Sequence, residues 1–255
     1  MNNLKEKLEF HYKSFNKSII DSDPILFPKK FTDYYDIEIM AFIASIFSYG
    51  KIEQILLSLE NFLSLAENKP YNFIINYDKK LRINFNHRFY SNYDIHNLFI
   101  VLQYVLRKHR TIKNLFLSGY SERHPNIKQA LSVFSKTMLN VYEDKSMNLN
   151  HAVKFMFPIP EKGSACKRMN LFLRWMIRKD KIDFGLWSEI PKSKLIIPVD
   201  THIAKISKQL KLTNKKNVSW SMAEEITENL KKFDSIDPIK YDFALCHIGI
   251  RKLKF

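Results

Sequence analysis

The stretch PIPEKGSACKRMNLFLRWMIRKD, Pro158 to Asp180, decides how this chain is read. Pro158 and Pro160 close a helix near Phe157, because proline lacks a backbone donor and clashes with the preceding turn. Gly163, Ser164 and Ala165 then make a tight turn of small residues. A second helix starts around Cys166 and buries Met169, Leu173, Trp175 and Met176. Helix, tight turn and basic helix form a phosphate-binding design. Backbone N–H groups of the turn and of the helix N-terminus can face an anion, and Lys162, Lys167 and Arg168 add positive charge. Taken alone, the stretch is equally an ordinary hairpin of two helices.

Further along runs LIIPVDTHIAKISKQLKLT, Leu195 to Thr213. KLIIP, Lys194 to Pro198, has the apolar character of a short strand. Asp200 precedes a helix whose inner face is Ile203, Ile206 and Leu210. By itself Asp200 reads as an N-cap, a role that contributes about 1 kcal/mol, and His202 as a surface residue of the first turn.

The rest of the chain is periodic at helical spacing. Asp36 to Phe47 puts Ile39, Phe42, Ile43 and Ile46 on one face, with Asp36 placed to cap its start. Ser48-Tyr49-Gly50 breaks the pattern before a second amphipathic helix, Ile52 to Leu65. Pro70 opens a third, where proline suits the first turn. Asp94 to Leu106 and Pro125 to Tyr142 complete the set. No segment alternates with period two over any length, and the fold class is all-α.

Composition narrows the partners. The chain carries 41 Lys and Arg against 26 Asp and Glu, a net charge of +15 and a pI near 9.6. Such a field attracts polyanions, and the expected partner is nucleic acid. Residues 161–216 concentrate the excess, with 14 basic and 5 acidic residues, a net of 14 − 5 = +9. Cys166 and Cys246 are the only cysteines. They exclude a disulfide framework and a four-cysteine iron–sulfur site, and free thiols fit a reducing cytoplasm. The N-terminal MNNLKEKLEF is charged and lacks the apolar stretch of a signal peptide. No apolar run approaches the about 20 residues of a membrane span. The histidines lack metal-ligand spacing, so neither a catalytic metal nor another cofactor is expected.

The two quoted stretches together resemble the helix-hairpin-helix DNA glycosylases, the superfamily of endonuclease III and the oxidised-guanine glycosylases. Gly163-Ser-Ala-Cys-Lys167 is similar to the family's Gly-x-Gly-x-Lys hairpin. Val199-Asp200-Thr201-His202 is similar to the Val-Asp-Thr-His that opens its next helix. GSACKR with LFLRWM and IIPVDTH further resembles a bacterial family of unassigned function related to these enzymes, over about Asp23 to Ile250.

The resemblance implies a two-lobed fold. One lobe is a helical bundle over residues 34–180 that ends in the hairpin. The other gathers 1–33 and 181–255 and carries Asp200. Double-stranded DNA would lie across the cleft between them, bound by a monomer associated with the cytoplasmic nucleoid. The resemblance further implies Lys167 as the nucleophile and Asp200 as the catalytic carboxylate. Gly163, Ser164 and Ala165, with Lys162, Arg168 and His202, would grip phosphate. The loop of Ser48, Tyr49 and Gly50 would enter the duplex where a base is extruded.

The implied activity is base excision with lyase action through a lysine Schiff base. A non-catalytic DNA- or RNA-binding module of the same fold is the alternative. Four features depart from the family pattern. Ala165 replaces the second hairpin glycine. The interval from Lys167 to Asp200 is long, at 200 − 167 = 33 residues. Tyr49 stands where Gln or Asn is frequent, and the family's frequent iron–sulfur cluster is absent. The extra segment holds Phe184 and Trp187, candidates both for stacking on an extruded base and for core packing.

Overall fold

The computed structural model describes residues 2–14 and 23–251. It is helical throughout, and the described residues form no strand. Two isolated bridges occur, His87 with Tyr90 and Lys179 with Phe184. In chain order the α-helices are α1 (Asn2–Ser14), α2 (Tyr34–Phe47), α3 (Ile52–Leu65), α4 (Pro70–Ile75), α5 (Asn92–His109) and α6 (Ile112–Leu117). They continue with α7 (Lys128–Asp144), α8 (His151–Met156), α9 (Lys167–Ile177), α10 (Thr201–Gln209), α11 (Trp220–Lys231) and α12 (Asp242–Arg251).

The chain divides into two compact units. One holds residues 1–20, 123–128 and 159–255; the other holds 21–122 and 129–158. The division differs from the lobes expected at 34–180 and at 1–33 with 181–255. The hairpin and α9 belong with Asp200, not with the early helices. The cause is visible in the bonds around α9. Trp220 N donates to Gly163 O at 3.0 Å, Phe184 N to Trp175 O at 2.9 Å and Trp187 N to Met176 O at 2.8 Å. The partners of the hairpin and α9 thus lie C-terminal to them. Residues 1, 15–22 and 252–255 of the expected second lobe lie outside the described residues.

In the unit of 21–122 and 129–158, α2 is the central helix. Every residue from Ile37 to Phe47 is buried, because IEIMAFIASIF is apolar almost all round and has no polar face to turn to water. The single inner face read from the sequence is therefore too narrow. The cap differs as well. Asp33 accepts the amides of Tyr35 and Asp36 at 2.9 and 3.1 Å, while Asp36 accepts from Tyr71 N at 2.9 Å. Buried Glu38 accepts from Ile112 N at 2.8 Å and Lys113 N at 3.1 Å. It thereby satisfies the first amides of α6 from a neighbouring helix. Ser91 and Asp94 form a capping box on α5, and Asn150 Nδ2 donates to the same aspartate at 2.7 Å.

In the other unit, α12 packs on α10 and on α1. Trp175, Trp187 and Trp220 are buried there. The segment 123–128 is tied in by Ile127 N to Lys194 O at 3.2 Å, by Lys194 Nζ to His124 O at 2.6 Å and by Asn126 Nδ2 to Glu224 Oε1 at 2.9 Å. KLIIP forms no strand. Leu195, Ile196 and Ile197 are buried, and Ile197 N donates to the Thr227 hydroxyl at 3.1 Å. A side chain takes the bond that a neighbouring strand would supply.

Candidate active site

The turn before α9 is built from conformations that its residues dictate. Pro160 starts a short 3-10 turn that ends on Gly163 in the left-handed region, φ +88°. Glycine adopts this without steric penalty. A Cβ on Gly163 would meet nothing within 4 Å, so the turn faces open space. Gly163 N donates back to Pro160 O at 2.9 Å. Cys166 is also left-handed, φ +50°, and its amide donates to the Ser164 hydroxyl at 3.2 Å. Asn170 Nδ2 reaches back to Ala165 O at 3.1 Å and clamps the turn to the helix. Cys166 is itself buried, and burial pushes its thiol up to about 12. It is no ready nucleophile at neutral pH.

Lys167 is the first residue of α9 and Asp200 the N-cap of α10. Asp200 Oδ1 accepts the amides of His202 and Ile203 at 2.9 and 3.0 Å, the N-cap role read from its position. Its other oxygen lies 3.8 Å from Lys167 Nζ, with the two side chains 33% and 26% exposed. Two helix starts, 33 residues apart in the chain, thus present an amine and a carboxylate side by side, within reach of solvent.

The other candidates separate into exposed and buried. Lys162, Gly163 and His202 are exposed, Ser164 is half-buried, and Ala165 is buried. Arg168 is a correction: it is buried, because its position on α9 turns it into the unit rather than toward a phosphate. Trp187 is another correction. It is fully buried, edge-on to Phe172 at 5.2 Å between ring centroids, and packs the core. Ser48 is buried and donates to Ala44 O at 2.7 Å, finishing α2.

Tyr49 belongs to the other unit and is 40% exposed. Its ring contacts Phe89 and Phe155 edge-on, and the Arg88 guanidinium stands 5.1 Å over it. Gly50, at φ +114°, is glycine for a second reason: a Cβ there would come within 2.8 Å of the Arg88 side chain. The loop therefore lies against Arg88 and displays the Tyr49 ring, next to an equally exposed Phe89. His87, paired with Arg88 in the sequence, is buried and bonded to the Ser58 hydroxyl at 2.9 Å.

Sequence reasoning missed the groups behind the pair. Arg174 is bonded to Asp183 at 3.3 Å and to Asp242. Arg178 is bonded to Asp183, to Asp180 at 3.0 Å and to Asp237 at 2.8 Å. Burial works against charge on both guanidiniums, but the surrounding carboxylates outweigh it and hold them above their ordinary values. Burial likewise pushes the Asp242 carboxyl up, against the pull of Arg174. The signal available was two arginines in the otherwise apolar run LFLRWMIR, the second at the C-cap of α9. A large cavity in this unit, about 640 Å³, is lined by Tyr12, Arg178, Asp180 and Phe243 among others, and not by Lys167 or Asp200.

Fold and pair define a class: an all-helical protein that presents a lysine–aspartate pair where two helices begin. The chain belongs to the family described as Protein of unknown function (DUF2400), whose model matches residues 23–251. No curated protein and no solved structure matches it. No helix among the described residues is long and apolar enough to cross a membrane.

Proposed function

We propose that this protein is a DNA base-excision glycosylase with lyase activity, folded like the two-lobed helix-hairpin-helix glycosylases. One observation carries the reading: Lys167 Nζ lies 3.8 Å from Asp200 Oδ2, in the two local sequences that resemble that superfamily. The substrate is a damaged base in double-stranded DNA. A base inside a duplex must be turned out of the stack before it can be cut off, at a cost of a few kcal/mol. Within its own unit, the exposed Tyr49 and Phe89 rings beside Arg88 are of a kind suited to stacking on an unpaired base. Lys162 and the open turn at Gly163 suit the backbone phosphate.

The chemistry follows from the residue types. Lys167 gives a proton to Asp200 and its free amine bonds to C1′ of the sugar. The C1′–N bond breaks and the base leaves with the proton that Asp200 received. Asp200, a carboxylate again once that proton has gone, stabilises the positive charge left on the sugar and its bonded amine. Opening of the sugar ring yields a Schiff base. Removal of a C2′ proton then expels the 3′ phosphate and nicks the strand.

Borohydride trapping on duplex DNA that contains damaged or abasic sites tests the proposal. Wild-type protein is expected to form a covalent adduct and Lys167→Ala none. A wild type that traps on no lesion, abasic sites included, overturns it.

A second reading, a binding module without chemistry, is favoured by one observation. Both Asp200 oxygens already have structural work, one in the cap and the other facing Lys167. It predicts that Lys167→Ala weakens DNA binding and its salt dependence modestly, and that Asp200→Ala leaves binding unchanged with no base released by either protein.

A further inference from the structure

The cavity of about 640 Å³ lies within the unit that carries α9, and three separate segments wall it. Tyr12 and Lys13 come from the last turn of α1, Lys181 from the loop after α9, and Lys240 and Phe243 from the turn before α12 and its first turn. Arg178, the C-cap of α9, also lines it. It stands eleven residues beyond Lys167, or about 16 Å along the helix axis. The cavity is therefore at the other end of α9 from the Lys167–Asp200 pair. Its volume suits a small organic molecule, for which sites of about 300–1,000 Å³ are usual.

Among the described residues, the lining holds four cations, Lys13, Arg178, Lys181 and Lys240, and one carboxylate, Asp180. Arg178 and Asp180 are committed to the protein itself. They hold one another at 3.0 Å, and the second oxygen of Asp180 accepts the amides of Ile182 and Asp183 at 2.7 and 2.8 Å. Arg178 is further bonded to Asp183 and Asp237. The lysines differ. Glu9 Oε1 and Asp234 Oδ2 take two donors of the Lys240 ammonium at 2.7 and 2.8 Å, and an ammonium has three. With that side chain only 15% exposed and held from two sides, a ligand that accepts the third donor need not order it. Lys13 and Lys181 are exposed and add two more ammonium groups. The rest of the wall is apolar, with buried Phe243 and Ile182 beside the Tyr12 ring.

We propose that this cavity is a second binding site, one that takes a phosphate monoester with a planar apolar body, the size of a mononucleotide. Lysines favour phosphate over carboxylate. An ammonium binds phosphate as a point charge, whereas a planar carboxylate matches the arginine fork, and the one guanidinium of the lining is already held by aspartates. Three lysines from three segments match a group with three acceptor oxygens and a charge near −2. The rings of Tyr12 and Phe243 supply the surface for the planar body. Bound there, the ligand ties α1 to the loop after α9 and to α12.

The test titrates the intact protein with deoxyadenosine monophosphate, read by calorimetry and by amide NMR shifts. One molecule is expected to bind per chain, with shifts centred on residues 12–13, 180–182 and 240–244 and an affinity that falls as salt rises. Deoxyadenosine and inorganic phosphate, each with half of the required chemistry, are expected to bind about tenfold or more weakly. The double variant Lys13→Met/Lys181→Met changes only exposed side chains and keeps the fold; its Kd is expected to rise about tenfold or more. Lys240→Met is expected to lose binding altogether, and should it not fold, the double variant decides. Three results overturn the inference: no saturable binding at millimolar ligand, an unchanged Kd in the double variant, or shifts centred on Gly163 and Lys167 instead. Equal affinity for inorganic phosphate or for deoxyadenosine overturns the ligand class. None of these readouts depends on whether Lys167 traps DNA.

Discussion

Replacing Asp200 by alanine and by asparagine separates its two roles. Alanine removes the oxygen that accepts the amides of His202 and Ile203, at a cost of about 1 kcal/mol. It also removes the partner of Lys167. That pair is a quarter to a third exposed and 3.8 Å long, so screening limits its share to about 0–1 kcal/mol. The sum is about 1–2 kcal/mol, a fall in Tm of roughly 2–8 °C for a chain of this size. Asparagine caps a helix as well as aspartate does, so Asp200→Asn loses only the ion pair, and its Tm falls by about 4 °C or less. Its activity should suffer far more. With no carboxylate to take the lysine proton or stabilise the sugar cation, base release should drop about 10²- to 10⁴-fold. Thermal melts followed by circular dichroism, with base release from damaged duplex DNA, measure both. Equal melting of the two variants would refute the cap argument. Base release at the wild-type rate from Asp200→Asn would refute the catalytic one.

Gly163→Ala meets no atom but must hold φ near +88°, so urea denaturation should show a loss of about 1–2 kcal/mol from backbone strain alone. Arg178→Met strips Asp180, Asp183 and Asp237 of their shared partner. With Asp183 left buried, the same assay should show a loss of about 3–5 kcal/mol. Glu9 and Asp234 give the chain an acid-sensitive clasp. Burial alone would raise both, but hydrogen bonds to the Lys240 ammonium, and to Tyr241 in the case of Glu9, outweigh it and lower them. A lowered carboxylate stabilises the fold above its unfolded pKa of about 4, and this is lost as pH falls through the folded value. Glu9→Gln should therefore lose less stability than wild type between about pH 5 and 3, read from Tm across that range.

The helices were legible because their periodicity is local. Tyr34–Phe47, Ile52–Leu65 and Asn92–His109 all lie within a few residues of where the apolar spacing puts them. The cap on α2 was misplaced because Asp33 and Asp36 are both capping residues, and only geometry shows that Asp36 serves Tyr71 instead. KLIIP has the composition of a strand, but the bond it needed came from the Thr227 hydroxyl. Lys167 and Asp200 were each visible as the start of a helix, with their partnership suggested by resemblance and not by spacing. The bond between Arg174 and Asp242 spans 68 residues and leaves no local pattern to read. Trp187 was ambiguous for a related reason: an aromatic ring in a loop looks the same whether it packs or waits for a ligand.

The division of the chain carries a consequence for biosynthesis. The backbone passes between the two units four times, near residues 20, 122, 128 and 158, so neither unit is a continuous fragment that one protease cut could release intact. The clasp on α1 closes between Glu9 and Tyr241, 232 positions apart. A nascent chain must therefore carry α1, an amphipathic helix with buried Leu8, without this partner until the 232 positions that separate Glu9 from Tyr241 have been made. Assembly of that unit is a late, non-local event, and slow folding with transient exposure of apolar surface is its physical signature.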